Sequence, residues 1–411
     1  MQKSEQRSDQ TSVERDQAQY QASGEALEQE FEQNVDQSLS QKEVDRTYLL
    51  EAVKLAERGY GAVSPNPYVG ALLVKEGEII GRGYHQYAGG AHAEVNAVQD
   101  ALDHGYQLAG ATLYVTLEPC CFRGKTGACT DLILKSGIRR VVTAMEDPNP
   151  AVAGKGHQIL KDAGIEVVTN LLADQGERLI EIFSHNQRYQ KSFVTLKAAL
   201  SLDGKLATKR RDSQWITGEA ARKRAHYYRG LHDLILIGKG TLLADNPSLT
   251  VRYGYETKAP TRLLMLNNFV GITEEIITQY HFFNINLAPS LILYDAGNPP
   301  SHSLVALLKA KGVEVVPLAE ITPQSVLEYI FNAGFMSLFI EGGAGIYDAF
   351  ISADCVDQYL LFYGPKLIGS PKALELWQSS SIEQLSDAPL VTIESVERLE
   401  ESFLTVARRR R

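Results

Sequence analysis

Three side chains far apart in the sequence, His92, Cys120 and Cys129, constrain this chain more than any other feature. Imidazole and thiolate are preferred zinc ligands, and a set of three leaves one position of the tetrahedron open. Structural zinc sites normally fill all four positions with protein groups. Three ligands therefore point to chemistry on a small molecule, with the metal lowering the pKa of a bound water toward neutrality. Glu94, two residues past His92, adds a carboxylate suited to general acid/base work beside that metal. Any fold of this chain must bring the segment at His92 against the loop that follows Pro119.

The local pattern allows this. Thr47 to Arg58 has helical periodicity and ends at Gly59. Tyr68–Val74 and Glu78–His85 read as a β-hairpin around Lys75-Glu76-Gly77. His92 opens a helix, and Ala111–Leu117 is a strand ended by Pro119, which predicts that Cys120 sits at a helix N-terminus. Two helix N-termini facing each other favour thiolate ligands. A helix at Thr130–Ser136, a strand at Arg139–Ala144, a helix near Gly156–Ala163 and a strand at Glu166–Thr169 complete the first series. A polar helix, Asp174–Gln190, leads to a second series beginning near Ser192, whose last stretch, Leu390–Ala407, reads as two antiparallel strands. Alternating strands and helices give an α/β class.

His-x-Glu followed by Pro-Cys-x-x-Cys is the arrangement of zinc nucleobase deaminases. Here the residues between Cys120 and Cys129 are 121–128, a longer loop. Cys121 reads as a neutral neighbour and Cys355 as an ordinary thiol. Gly124-Lys125-Thr126 is not the end of a P-loop, because no Gly stands five residues before Gly124.

The longer loop and its surroundings resemble the bifunctional riboflavin-biosynthesis deaminase–reductase family. The matching segments are Ser64–Gly70, Gly83-Tyr84-His85, Thr116–Cys120, Gly124-Lys125-Thr126, Asp147–Pro150 and Val152–Gly156. In the second half they are Lys197–Lys205, Ser213–Thr217, Thr241–Pro247, Leu249–Arg252, the turn Glu341–Gly345 and Gly364–Leu367. The resemblance implies a cytidine-deaminase-like N-terminal domain over 46–190 and a dihydrofolate-reductase-like C-terminal domain over 191–411. Residues 1–45 are read as a polar, disordered extension, in which Leu27, Phe31, Val35 and Leu39 have helical spacing.

By carry-over, His92, Cys120 and Cys129 hold zinc, and Glu94 moves the proton. Asn66, His85 and Lys125 meet the phosphorylated pyrimidine. Ser213, Arg229, Arg252 and Glu341 hold the substrate of the reductase half, with both arginines suited to bidentate phosphate contact. Ala199, Trp215, Thr241, Asp245, Gly342, Gly343, Ala344 and Gly345 hold NADPH. Phe122 departs from the family, which usually has His there, so that contact is lost or passes to Arg123. The implied activity is hydrolytic deamination of 2,5-diamino-6-(5-phosphoribosylamino)pyrimidin-4(3H)-one by zinc-bound hydroxide. NADPH-dependent reduction of the ribosyl group to ribityl then follows. Two other readings fit the zinc residues alone. One is a cytidine or tRNA-adenosine deaminase fused to a reductase. The other is a structural zinc in a binding protein, which needs a fourth protein ligand such as Cys121 or His85.

Composition narrows the partners. The chain has 411 residues and a formal charge of −9, which argues against general attraction to nucleic acid. No apolar run approaches the roughly 18 residues that span a bilayer. With no signal-peptide core and no disulfide framework among four cysteines, a cytoplasmic protein is expected. A homo-oligomer is compatible with all of this.

Overall fold

The computed structural model describes residues 40–122, 127–255, 258–379 and 382–410. The first half is a five-stranded sheet in the order β2-β1-β3-β4-β5, and the second a nine-stranded sheet. Among the described residues no helix is long and apolar enough to cross a membrane.

The first half runs α1 (Gln41–Glu57), β1 (Gly70–Lys75), β2 (Glu78–Tyr84), α2 (Ala93–Asp103), β3 (Thr112–Val115), α3 (Cys129–Lys135), β4 (Arg140–Thr143), α4 (Lys155–Asp162) and β5 (Glu166–Val168). β1 is antiparallel to both β2 and β3, whereas β3, β4 and β5 are parallel. β1 is a continuous apolar run because both of its faces are covered. Ala71 and Leu73 enter one core, and Leu72 and Val74 enter the other. On β2, Gly81 and Gly83 let α2 lie almost against the backbone. A Cβ at Gly83 would stand 2.2 Å from the Ala93 carbonyl, and one at Gly81 would stand 2.3 Å from that of Ala97.

α1 begins earlier than expected. The Ser40 amide donates to the Glu43 carboxylate at 2.8 Å, which closes the first turn. Asp45 therefore lies inside a helix rather than in a tail, and it is buried. Arg140 of β4 grips its carboxylate with two bonds of 2.7 Å, and the Tyr114 hydroxyl donates to it at 2.8 Å. The helically spaced residues Leu27 to Leu39 lie outside the described residues.

The connecting polar segment is two helices, α5 (Ala173–Leu179) and α6 (Glu181–Tyr189), broken at Ile180. Ile180 is buried with Leu117 and Met145, and that anchor interrupts the expected single helix.

The second half follows as β6 (Phe193–Ser201), β7 (Lys205–Ala207), α7 (Glu219–Gly230), β8 (Leu234–Gly238), α8 (Lys239–Asp245), β9 (Thr261–Leu266), α9 (Glu274–Gln279), β10 (Ser290–Asp295), α10 (His302–Ala310), β11 (Glu314–Leu318), α11 (Pro323–Asn332), β12 (Ser337–Gly342), α12 (Ala344–Ser352), β13 (Gln358–Gly364), β14 (Leu374–Glu375), β15 (Val391–Leu399) and β16 (Ser402–Arg409). Its sheet order is β11-β10-β9-β8-β12-β6-β13-β16-β15. Strands β11 through β13 are parallel, and the hairpin β15–β16 closes one edge antiparallel. β8 shows why the centre is stable. Ile235 and Ile237 face one core, Leu234 and Leu236 the other, and all four are fully buried.

Candidate active sites

The first site forms where the C-terminal ends of β3 and β4 meet the start of α2. His92 is the residue before the first turn of α2, and Cys129 is the first residue of α3. Cys120 lies in the extended loop after Pro119, not at a helix start. The longer loop delays the helix to Cys129, so the two facing helix ends belong to His92 and Cys129. Cys120 reaches them by another route: the Cys129 amide donates to its sulfur at 3.4 Å.

The His92 Nδ1 stands 3.3 Å from Cys129 Sγ and 3.5 Å from Cys120 Sγ. All three ligand atoms lie within 4.8 Å of one another. A tetrahedral zinc with bonds of about 2.0 Å to nitrogen and about 2.3 Å to sulfur needs N···S edges of about 3.6 Å, so the set fits the ion. In the protein alone, the hydrogen bond from Cys129 holds the Cys120 thiol below its ordinary range. The same bond, aided by burial, pushes Cys129 up. The hydrogen bond to Cys120 in turn raises the pKa of His92. Among the described residues this cluster has no fourth ligand: Cys121 is not part of it, and His85 is engaged elsewhere.

Glu94 is 4 % exposed, and burial raises its carboxyl above the usual range. Its carboxyl also hydrogen-bonds Cys129, which places a proton-carrying group at the edge of the cluster. Asn66 and His85 adjoin it. His85 donates from Nδ1 to the Ala91 carbonyl at 2.9 Å, so its Nε2 accepts from the Asn66 amide at 3.0 Å. Burial, with His92 nearby, lowers the His85 pKa and keeps the ring neutral. The rings of His85 and His92 meet edge to face at 5.8 Å. Lys125 and Arg123 lie outside the described residues. Phe122 is 51 % exposed and offers no polar atom.

Glu118, inside the Thr116–Cys120 segment, has a task that its sequence position alone does not assign. It is buried, and its carboxylate accepts from the amides of Gly154 at 2.9 Å, Asp147 at 3.2 Å and His157 at 3.2 Å. It therefore ties the zinc loop to the 147–157 loop. A carboxylate directly before the Pro119-Cys120 pair was the available signal.

The second site is a cavity of about 1400 Å³. Every residue expected there lines it: Ala199, Ser213, Trp215, Arg229, Thr241, Asp245, Arg252, Glu341, Gly342, Gly343, Ala344 and Gly345. The glycine turn joins β12 to α12, and Gly343 has φ of +90°, a left-handed backbone that glycine adopts without strain. A Cβ at Gly345 would meet nothing within 4 Å, so the start of α12 borders open space in the cavity, where a helix N-terminus suits an anion. Trp215 is 62 % exposed, with the Arg222 guanidinium 4.7 Å over its ring. The donor set and the volume fit a dinucleotide.

Arg229 is placed differently from expectation. It binds Glu341 through Nε at 2.5 Å and Nη2 at 2.7 Å, and its Nη1 donates to the Thr250 carbonyl. Its bidentate edge is therefore already occupied by a carboxylate, while Arg252 remains exposed at the cavity wall. Burial works to raise Glu341, but the charges of Arg229 and Lys197 outweigh it and hold the carboxyl at about 2. Lys197 lines the same cavity, and burial lowers its pKa. It was passed over because one Lys in a strand carries no local signature; only the fold places it beside Glu341.

Residues 192–405 match the RibD C-terminal domain family, and residues 42–145 match the cytidine and deoxycytidylate deaminase zinc-binding region. The chain is 44 % identical over 349 residues to the riboflavin biosynthesis protein RibD of Bacillus amyloliquefaciens, covering 84 % of this chain and 91 % of that protein. It is 38 % identical over 343 residues to the RibD of Aquifex aeolicus, covering 84 % and 93 %. Among solved structures it is similar to a diaminohydroxyphosphoribosylaminopyrimidine deaminase/5-amino-6-(5-phosphoribosylamino)uracil reductase from Thermotoga maritima. That likeness has a TM-score of 0.79 and 35 % identity, over 90 % of this chain and 100 % of the other. An Acinetobacter baumannii RibD gives a TM-score of 0.79 and 30 % identity over the same shares.

Proposed function

The chain belongs to the RibD family of riboflavin biosynthesis, and from that premise we propose how its own residues divide the two reactions. The protein is a bifunctional enzyme that deaminates 2,5-diamino-6-(5-phosphoribosylamino)pyrimidin-4(3H)-one and then reduces the ribosyl group to ribityl. It uses zinc for the first step and NADPH for the second.

Zinc, when bound by His92, Cys120 and Cys129, lowers the pKa of a coordinated water. Glu94 takes a proton from that water and passes it to the ring nitrogen beside the amino-bearing carbon. The hydroxyl oxygen would add to that carbon, and Glu94 would then take the proton still on that oxygen and hand it to the amino group, so that the C–N bond breaks, ammonia leaves and a carbonyl remains. Asn66 and His85 orient the pyrimidine; the neutral His85 adds no positive charge near the metal. Glu118 keeps the loop of Cys120 in register with the 147–157 loop.

In the second cavity NADPH, when bound, supplies the hydride. The glycine turn Gly342–Gly345, with Thr241 and Asp245, seats its phosphates and ribose. Trp215 and Ala199 flank its rings. Ser213, the Arg229–Glu341 pair and Arg252 hold the ribosyl phosphate, with Arg252 as the phosphate's main cation.

The observation that carries this reading is the zinc-sized triangle of His92, Cys120 and Cys129 with the buried Glu94 at its edge. Glu94→Gln keeps the shape and removes the proton carrier. We expect ammonia release to fall by at least about 100-fold, with one zinc per chain retained by elemental analysis. Full deamination by the zinc-loaded variant would contradict the role given to Glu94.

A further inference from the structure

The loop that carries Asn66 is held in part by the other catalytic half. Tyr60, at the start of that loop, stacks on Tyr227 of α7 with centroids 5.1 Å apart and planes 20° apart. Its hydroxyl donates to the Tyr227 carbonyl. Tyr255 tilts against it at 5.9 Å. Gly230 ends α7 where nothing larger fits: a Cβ there would stand 2.2 Å from the Tyr60 hydroxyl oxygen. Farther along the loop, the Ser64 side chain hydrogen-bonds the carboxylate of Asp233. Asp233 is itself fixed to the reductase sheet, because it accepts from the Met336 amide at 2.7 Å and its own amide donates to Ser337 Oγ at 3.0 Å. Between these two attachments lies a cavity of about 150 Å³, walled by Gly61, Ser64 and Tyr68 on one side and His232, Asp233 and Phe335 on the other.

Two residues beyond Ser64, Asn66 bonds His85 at the zinc cluster. The Gly230 end of the same helix α7 carries Arg229, which pairs with Glu341 in the reductase cavity. One helix end thus carries a residue of the reductase cavity and touches the loop that leads to Asn66.

We propose that the reductase half positions the substrate loop of the deaminase, with Tyr227, Gly230 and Asp233 bracing Tyr60 and Ser64 so that Asn66 meets the pyrimidine in the right place. This rests on the assignment of Asn66 to the deaminase substrate. None of the bracing residues touches substrate. They are positioning residues, and their effect falls on substrate affinity in the other half.

The test uses the full-length, zinc-loaded enzyme with three variants. Gly230→Ala pushes on Tyr60 from the reductase side, Ser64→Ala removes the second attachment, and Asn66→Ala removes the contact itself. Each of the first two should raise the KM for deamination about fivefold and change kcat less than about twofold, the size of effect that loss of one ordinary hydrogen bond produces. NADPH oxidation with deaminated substrate should stay at the wild-type rate, which also reports that Gly230→Ala and Ser64→Ala are folded. In Gly230→Ala, adding Tyr60→Phe removes the crowded oxygen and should return KM to that of Tyr60→Phe alone, a non-additivity that general destabilisation does not produce. If Asn66→Ala raises KM while Gly230→Ala and Ser64→Ala leave it unchanged, the brace is overturned and the role of Asn66 stands. If Asn66→Ala has no effect on KM, the role of Asn66 falls and the brace falls with it.

Discussion

At the scale of single residues the reductase site is dominated by one charge cluster. Arg229 is 8 % exposed and pairs with the equally buried Glu341 beside Lys197. Removing one member of such a pair leaves the other charge buried and uncompensated, which costs on the order of 3–5 kcal/mol. Glu341→Gln should therefore be less stable than wild type at pH 7. The pH dependence has a definite sign. The Glu341 carboxyl is depressed from its ordinary 4.5 to about 2 in the folded protein, so the native state holds fewer protons than the unfolded chain in between. Its stabilising effect is complete above about 4.5 and fades as pH falls toward 2. Denaturant midpoints at pH 7, 5, 4 and 3 should show the gap between wild type and Glu341→Gln shrinking only below pH 5. A gap that is constant across that range would contradict the pairing. Arg262 makes a different case: it is fully buried, pairs with no carboxylate among the described residues, and donates to the carbonyls of His281 at 2.7 Å, Asn284 at 2.8 Å and Ala288 at 2.6 Å. Burial lowers its pKa to about 10, which still leaves it charged at neutral pH.

At the scale of elements, the position of His92 and Glu94 depends on how closely α2 lies on β2. Gly81 and Gly83 set that distance, since a methyl at Gly83 would run into the backbone of Ala93 and Ala97. Gly83→Ala should cost at least about 2 kcal/mol by overpacking and should weaken zinc binding, because the helix start moves with the helix. An unchanged denaturant midpoint together with unchanged zinc affinity would show that α2 is not seated this way. Elements were legible where periodicity was strong: β1, α2 and the β15–β16 hairpin follow from the residue pattern. The start of α1 was not, because Gln41, Lys42 and Glu43 share the polar composition of the residues before them. Only the Ser40-x-x-Glu43 spacing marked it. Cys120 was drawn to a helix because Pro often opens one. In the structure Cys120 lies in an extended segment, and the nearby helix starts at Cys129, whose amide donates to the Cys120 sulfur.

At the scale of the whole molecule, two sheets each carry a site beyond the C-terminal ends of their parallel strands, where an open α/β sheet leaves room for ligands. The zinc triangle was readable, although its members are far apart in the sequence, because its residue types are chemically specific. The reductase cavity was readable only through many motifs in order. No pattern within the chain discloses that Lys197 of β6 and Glu341 of β12 are neighbours, because adjacency across a sheet is a property of topology. Nor does it disclose that Arg229 pairs with Glu341 while Arg252 stays exposed at the cavity wall. The central claim is that one chain performs both reactions in a fixed order. The most direct measurement incubates purified, zinc-loaded protein with the diaminopyrimidine ribosyl phosphate and follows ammonia and product mass, first without NADPH and then with it. The account predicts one ammonia per substrate and a deaminated ribosyl product before NADPH is added, then a gain of two hydrogens once it is present. No ammonia from zinc-replete protein, or a deaminated product that NADPH leaves unreduced, would contradict it.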